Sequence, residues 1–123
     1  MVKKYATLDS GKRQDYKSGL RRDIQDGKPR FDLLIVKDLP YEEQMVTRYA
    51  KLRDRGAVKY GDRNCELAES EEELNRFIAS TSRHFFQWLC NEDEEDHMAA
   101  VVFNLQMAEM VKYKLRVKNG KTI

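Results

Sequence analysis

The chain has 123 residues, 36% of them charged and 41% hydrophobic, and 23 Lys and Arg against 21 Asp and Glu leave a formal charge of +2. That length suits one domain, and the balance excludes general disorder and offers no run of about 20 apolar residues able to cross a bilayer, so a soluble chain with no membrane partner is expected. Near-neutral charge also argues against dedicated nucleic-acid binding, which calls for a basic excess or stripe, and leaves small anionic ligands open.

No apolar run follows the two lysines of MVKKYATLDSGKRQ, so no secretory signal is expected. Cys65 and Cys90 stand in no CxxC or Cys/His ligand spacing, which predicts reduced cytoplasmic thiols rather than a zinc site or a disulfide. Residues 1–29 are polar, interrupted by Gly11, Gly19, Gly27 and Pro29, and lack a sustained apolar period, so they are expected to form an extended arm. Phe31, Leu33, Leu34, Ile35 and Val36 then make a short apolar segment, expected to lie extended on a core and anchor that arm.

Asp38 is the expected cap of a first helix with Pro40 in its first turn, and Glu42 and Glu43 suit its positive end. Tyr41, Met45, Tyr49 and Leu52 follow at helical spacing, and the pattern breaks near Gly56 or Gly61. Ser70 with Glu73 is a capping-box signature opening a second helix, on which Leu74, Phe77, Ile78, Thr81, His84, Phe85, Trp88 and Leu89 recur mostly at steps of three and four. Asn91 or Asp93 is the expected cap of a third helix, with Glu94, Glu95 and Asp96 in its first turn. Its inward row is His97, Val101, Asn104, Leu105, Ala108, Val111 and Leu115, and further apolar residues widen the buried surface. The tail 117–123 is expected to fray. The reading is therefore an all-α fold: a helical domain over 30–116, thin enough that a homo-oligomer with helices packed across subunits is expected.

Polar residues on apolar faces are the candidate functional groups. Burying His84, His97 or Asn104 without a partner costs roughly 1 to 3 kcal/mol each. Each is either a core group bonded to a neighbour or part of a polar pocket between two antiparallel helices, where the two histidines would stand level with each other and near Asp96. Such a cluster offers imidazole for acid/base work or metal ligation and a carboxylate for a divalent ion. The loop 59-KYGDRN-64 is the second candidate: Lys59 and Arg63 for phosphate oxygens, Gly61 for a turn at positive φ, Asp62 and Asn64 to order the loop or read a base edge, with a plain helix C-cap as the alternative. Arg22, Lys28 and Arg30 can close over an anion or simply confer solubility. The runs 71-EEE-73 and 92-EDEED-96 read as solvated helix starts.

The segments 21-RRDIQDGKPRFDLL-34, 58-VKYGDRNCE-66, 83-RHFFQWL-89 and 94-EEDHMAAVVFNL-105, in that order, resemble the phage and prophage family called dATP/dGTP diphosphohydrolase, N-terminal. The family is usually grouped with all-α pyrophosphohydrolases of MazG type. The resemblance implies cleavage of a purine dNTP to dNMP and pyrophosphate with Mg2+ or Mn2+, in the host cytoplasm, serving control of nucleotide pools. The purine nucleotide is then expected on Lys59, Tyr60, Gly61, Asp62, Arg63, Asn64, Arg83, Trp88 and Asn104, aided by Arg22, Lys28 and Arg30. As an enzyme, the chain is expected to use His84, Asp96 and His97 as catalytic groups and to hold the ion on Asp96 with His84, His97, Glu42 and Glu43.

Two features depart from the family pattern: Cys65 stands where a tryptophan is usual, and the ExxE and ExxD acid pairs of MazG-type metal sites have no clean counterpart. Three readings follow: a pyrophosphohydrolase; a nucleotide-binding phage sponge that sequesters a host defence signal without metal; or a structural helical subunit whose histidines are core groups.

Overall fold

The computed structural model describes residues 4–120, in two compact units divided between Leu34 and Ile35. In the first unit, β1 (Arg13–Asp15) pairs antiparallel with β2 (Arg21–Asp23), Gln14 opposite Arg22. The turn between them closes through Gly19, whose φ of 95° suits a residue without Cβ. These strands are polar and mostly exposed, held by cross-strand pairs such as Arg21 with Asp15 at 2.8 Å. The apolar segment after the hairpin differs from the extended anchor read from the sequence. Phe31–Leu34 winds into a single 3-10 turn, and Phe31, Leu33, Leu34, Ile35 and Val36 are all more than half exposed.

The second unit is built from α1 (Met45–Tyr60), α2 (Glu71–Leu89) and α3 (His97–Lys118). α2 and α3 form an antiparallel hairpin, as His84 meets His97, Phe77 meets Phe103, and Leu74 packs with Ala108 and Val111. The expected capping box is present: the Ser70 hydroxyl accepts from the Glu73 N–H while the Glu73 carboxylate accepts from the Ser70 N–H. At the end of the hairpin away from its turn, the Lys114 ammonium donates to the carbonyls of Glu66 and Ala68, fastening the 3-10 turn Asn64–Leu67 over the core.

Three boundaries depart from the sequence reading. Asp38 does not cap α1; it sits at a positive φ of 67°, and Tyr41–Glu43 is a separate 3-10 turn. The helix entry is organised by Gln44, only 4% exposed, whose side-chain amide donates to the Val36 and Leu39 carbonyls and accepts from the Val36 N–H. Neither Asn91 nor Asp93 caps α3. Asp96 does, accepting from the Ala99 N–H at 3.1 Å, so Glu94 and Glu95 precede the helix. On α3, Leu105 is half exposed, whereas Ala99, Ala100 and Met107 are buried. The helix continues to Lys118, past the expected fraying point, and residues 121–123 lie outside the described part.

α1 is attached differently from the apolar α2–α3 seam. Arg48 pairs with Asp96 near its start, and Tyr49 and Arg53 reach Gln106 of α3 further along. Its other end stops at Gly61, where a φ of 98° favours glycine. Among the described residues no helix is long and apolar enough to cross a membrane.

Candidate functional site

The two histidines meet where the hairpin turns. His84 and His97 are both buried, with Nδ1 of one 2.9 Å from Nδ1 of the other and ring centroids 5.1 Å apart. His97 Nε2 lies 2.7 Å from the Glu94 carboxylate, and the Arg83 guanidinium lies 3.4 Å from His84 Nε2. One set of tautomers satisfies all three contacts: Arg83 donates to His84 Nε2, His84 Nδ1–H donates to His97 Nδ1, and His97 Nε2–H donates to Glu94. Burial, together with the adjacent Arg83 charge, lowers the His84 pKa from its ordinary value and favours this neutral form. Glu94 is held below the usual carboxylate range by its own backbone N–H and then by His97.

One ligand atom each from His84, Glu95 and His97 can be chosen with all three within 4.8 Å of one another. The carboxylate in this cluster is therefore that of Glu95. Asp96 is committed elsewhere: its two oxygens take Arg48 Nε and Nη2 at 2.8 and 2.7 Å while it caps α3. Arg48, and next the Ala99 N–H, hold its pKa down against the opposing effect of burial. Glu42 pairs with Lys51, and neither it nor Glu43 belongs to the histidine cluster.

A cavity of about 510 Å3 opens beside the second half of α1. Its walls are apolar and aromatic, including Leu52, Tyr60, Phe77 and Phe103, with Arg53 and Arg63 among its polar groups. Phe77 and Phe103 meet edge to face at 6.3 Å and 81°, and the Arg53 guanidinium lies 6.0 Å from the Phe103 ring centroid. Both arginines also share the Glu66 carboxylate, which Arg53 first and then Arg63 keep ionised to lower pH. A second cavity, about 650 Å3, is lined by Arg55 and Lys59 and by Glu94, Glu95 and Asp96. Leu52 and Gly56 border both cavities, and a Cβ at Gly56 would meet no atom within 4 Å.

The structure thus places Tyr60, Gly61, Arg63 and Asn64 on the first cavity and Lys59 on the second. Asp62 lies outside both. Arg83 serves Gln87 and His84, Trp88 packs on Phe85 with centroids 6.1 Å apart, and Asn104 donates to the Ala100 carbonyl of its own helix at 2.8 Å. Arg22, Lys28 and Arg30 belong to the N-terminal unit, where Arg30 makes a two-point pair with Asp32. Sequence reasoning passed over Arg53, Gly56, Phe77, Phe103, Glu94 and Glu95 as site residues. The aromatic wall that Cys65 does not provide comes from Phe77 and Phe103, which the sequence pattern marks only as core.

The sequence profile described as dATP/dGTP diphosphohydrolase, N-terminal, matches residues 10–119. The chain belongs to this family. The match covers the 59–64 loop, both cavities and the histidine cluster. No curated protein and no solved structure matches.

Proposed function

We propose that this chain hydrolyses a purine deoxynucleoside triphosphate to the monophosphate and pyrophosphate. The observation that carries the reading is that the KYGDRN loop, inside the matched family region, walls an aromatic cavity of a size that accepts a nucleobase, directly beside one that carries Arg55 and Lys59 together with four carboxylates. The base enters between Tyr60, Leu52 and the Phe77–Phe103 pair, and Arg53 stacks or donates at its edge. The phosphates pass Gly56 toward Arg55 and Lys59, which pair with their oxygens, while a divalent ion would offset the carboxylates of the same wall. Water adds to the α-phosphorus as the bond to the β-phosphate oxygen breaks.

The activity named for the family implies a divalent ion, and the residues fit one: two imidazoles and a carboxylate come together, and that carboxylate, Glu95, also lines the cavity that holds Arg55 and Lys59. His84, His97 and Glu95 would hold it, and it would polarise the phosphate and lower the pKa of the attacking water.

The test is incubation with each dNTP, with divalent ion and with EDTA, followed by denaturation and chromatography. The expected result is ion-dependent, equimolar dNMP and pyrophosphate from dATP or dGTP, with KM raised in Lys59→Met and Phe103→Leu. Stoichiometric recovery of intact nucleotide, indifferent to EDTA, would replace hydrolysis with sequestration.

A further inference from the structure

We infer that His84, Glu95 and His97 form a binding site for one first-row transition-metal ion, of the manganese-to-zinc series rather than magnesium, and that Glu94 is the group that orients His97 toward it. The inference rests on the proposed function only for what the ion does there; its binding is a separate property and is tested without nucleotide.

The argument starts from the donors. Two of the three are imidazole nitrogens, which suit transition ions, whereas magnesium takes oxygen ligands and gives up water reluctantly. The spacing agrees. Tetrahedral donors about 2.1 Å from an ion lie about 3.4 Å apart, so the two Nδ1 atoms, 2.9 Å apart across their hydrogen bond, need separate by only about half an ångström to hold one. An ordinary core histidine takes a backbone carbonyl or amide as its partner; here each ring turns the same nitrogen on the other, and a carboxylate oxygen of Glu95 lies within 4.8 Å of a ligand atom on each.

Glu94 supplies the second observation. Metal-bound histidines commonly donate their other N–H to a carboxylate, which fixes the tautomer and leaves the facing nitrogen as a lone pair. His97 is held in this way, Nε2–H on Glu94 at 2.7 Å and Nδ1 toward His84. In the tautomer set that satisfies these contacts, His84 Nδ1 carries the proton shared with His97, so His84 is not in the ligating tautomer. Ion binding therefore requires that proton to leave Nδ1 and His84 to carry its hydrogen on Nε2, which displaces the Arg83 guanidinium from its place 3.4 Å away. Arg83 is exposed and bonded to Gln87, so its side chain has room to turn outward.

The chain has two histidines in all, so histidine signals report this site alone. Untagged full-length protein is titrated calorimetrically with Zn2+, Co2+, Mn2+ and Mg2+ in the absence of nucleotide. Histidine 15N–1H spectra are recorded with and without Zn2+, for wild type, Glu95→Gln and Glu94→Gln. Both variants alter exposed side chains, and circular dichroism checks that their helices persist. We expect Zn2+ and Co2+ to bind one per chain, with Mg2+ at least about 100-fold weaker. Glu95→Gln should lose about tenfold or more, and Glu94→Gln about tenfold. The His84 proton should move from Nδ1 to Nε2 on adding Zn2+. Magnesium binding as tightly as cobalt, unchanged affinity in both variants, or Zn2+ binding that leaves the histidine nitrogens unshifted would each overturn the site. An ion bound here with no dNTP cleavage would sink only the proposed function. Cleavage supported by Mg2+, with nothing bound at the histidines, would sink only this inference.

Discussion

Asp96 stands next to His97 in the chain yet does structural work, and substitution separates the two roles. Its carboxylate, about a quarter exposed, accepts two bonds from Arg48 and one from the Ala99 N–H. Asp96→Asn would keep the cap, since asparagine caps as well as aspartate, but would give up the ion pair. A two-point, partly buried pair of this kind contributes about 1 to 2 kcal/mol. Asp96→Ala also loses the cap, about 1 kcal/mol more. In a unit of this size each kcal/mol moves Tm by about 4 °C or more, so the ranking wild type, Asp96→Asn, Asp96→Ala is resolvable by thermal melts. The pH dependence has a definite sign. Arg48 lowers the folded-state pKa of Asp96 below its ordinary value, so the stabilisation is complete above about pH 4 and is lost as pH falls through the lowered folded value. The other acid-sensitive groups, Glu66, Glu73 and Glu94 among them, are common to both proteins, so the gap between wild type and Asp96→Asn isolates this one. A gap absent at about pH 7, or one that persists undiminished well below about pH 3, would refute the assignment. So would a loss of Co2+ affinity in Asp96→Asn as large as that in Glu95→Gln.

Gly56 lies inside α1, where alanine is favoured by about 1 kcal/mol, and the position of its Cβ is clear of neighbours. Gly56→Ala is expected to raise Tm while weakening nucleotide binding, because the methyl group projects into the wall shared by the two cavities; a variant with raised Tm and unaltered KM would show that no ligand passes there. Ser70→Ala removes one half of the capping box and should cost about 1 kcal/mol in a denaturant titration, with nucleotide affinity unaffected; a loss under about 0.3 kcal/mol would mean that Glu73 alone holds the helix start.

Much of the second unit is readable from local chemistry because its signals are local. Ser70 and Glu73 satisfy each other within one turn, and the alternation of Leu74, Phe77 and His84 with polar residues marks the face that α3 covers. The failures occur where a distant residue decides between equal local options. Asn91, Asp93 and Asp96 are all competent N-caps, and the choice of Asp96 goes with Arg48, 48 residues away in sequence, which donates to the same carboxylate. That choice fixes which acid joins the histidines. With Asp96 as the cap, Glu94 is three residues before His97 and reaches its Nε2, Glu95 joins the cluster, and Asp96 turns to α1. Adjacency in sequence pointed to Asp96, and the carboxylate that stands with the two histidines is that of Glu95, one residue earlier. At Asp38, likewise, a good capping residue is passed over because Gln44 gathers three backbone groups at once.

The cavity was hidden for a different reason. Helical spacing marks Phe77 and Phe103 as apolar surface but cannot distinguish a residue packed on all sides from one that walls an opening. What opens the wall is α1, which contributes no residue to the buried apolar cluster and is tied to the hairpin by Arg48–Asp96 and by Tyr49 and Arg53 with Gln106. Polar ties hold a helix at chosen points without requiring continuous contact, so space remains between them and beyond them. Gly56 lies past the last of these ties and carries no side chain to fill that space. The apolar α2–α3 seam thus supplies the rigid part of the site, its two histidines and two phenylalanines, while the charged α1 supplies Arg53, Arg55 and Lys59 across the gap. The purine triphosphate of the proposed function would need both kinds of surface, and this division between the helices sets them side by side.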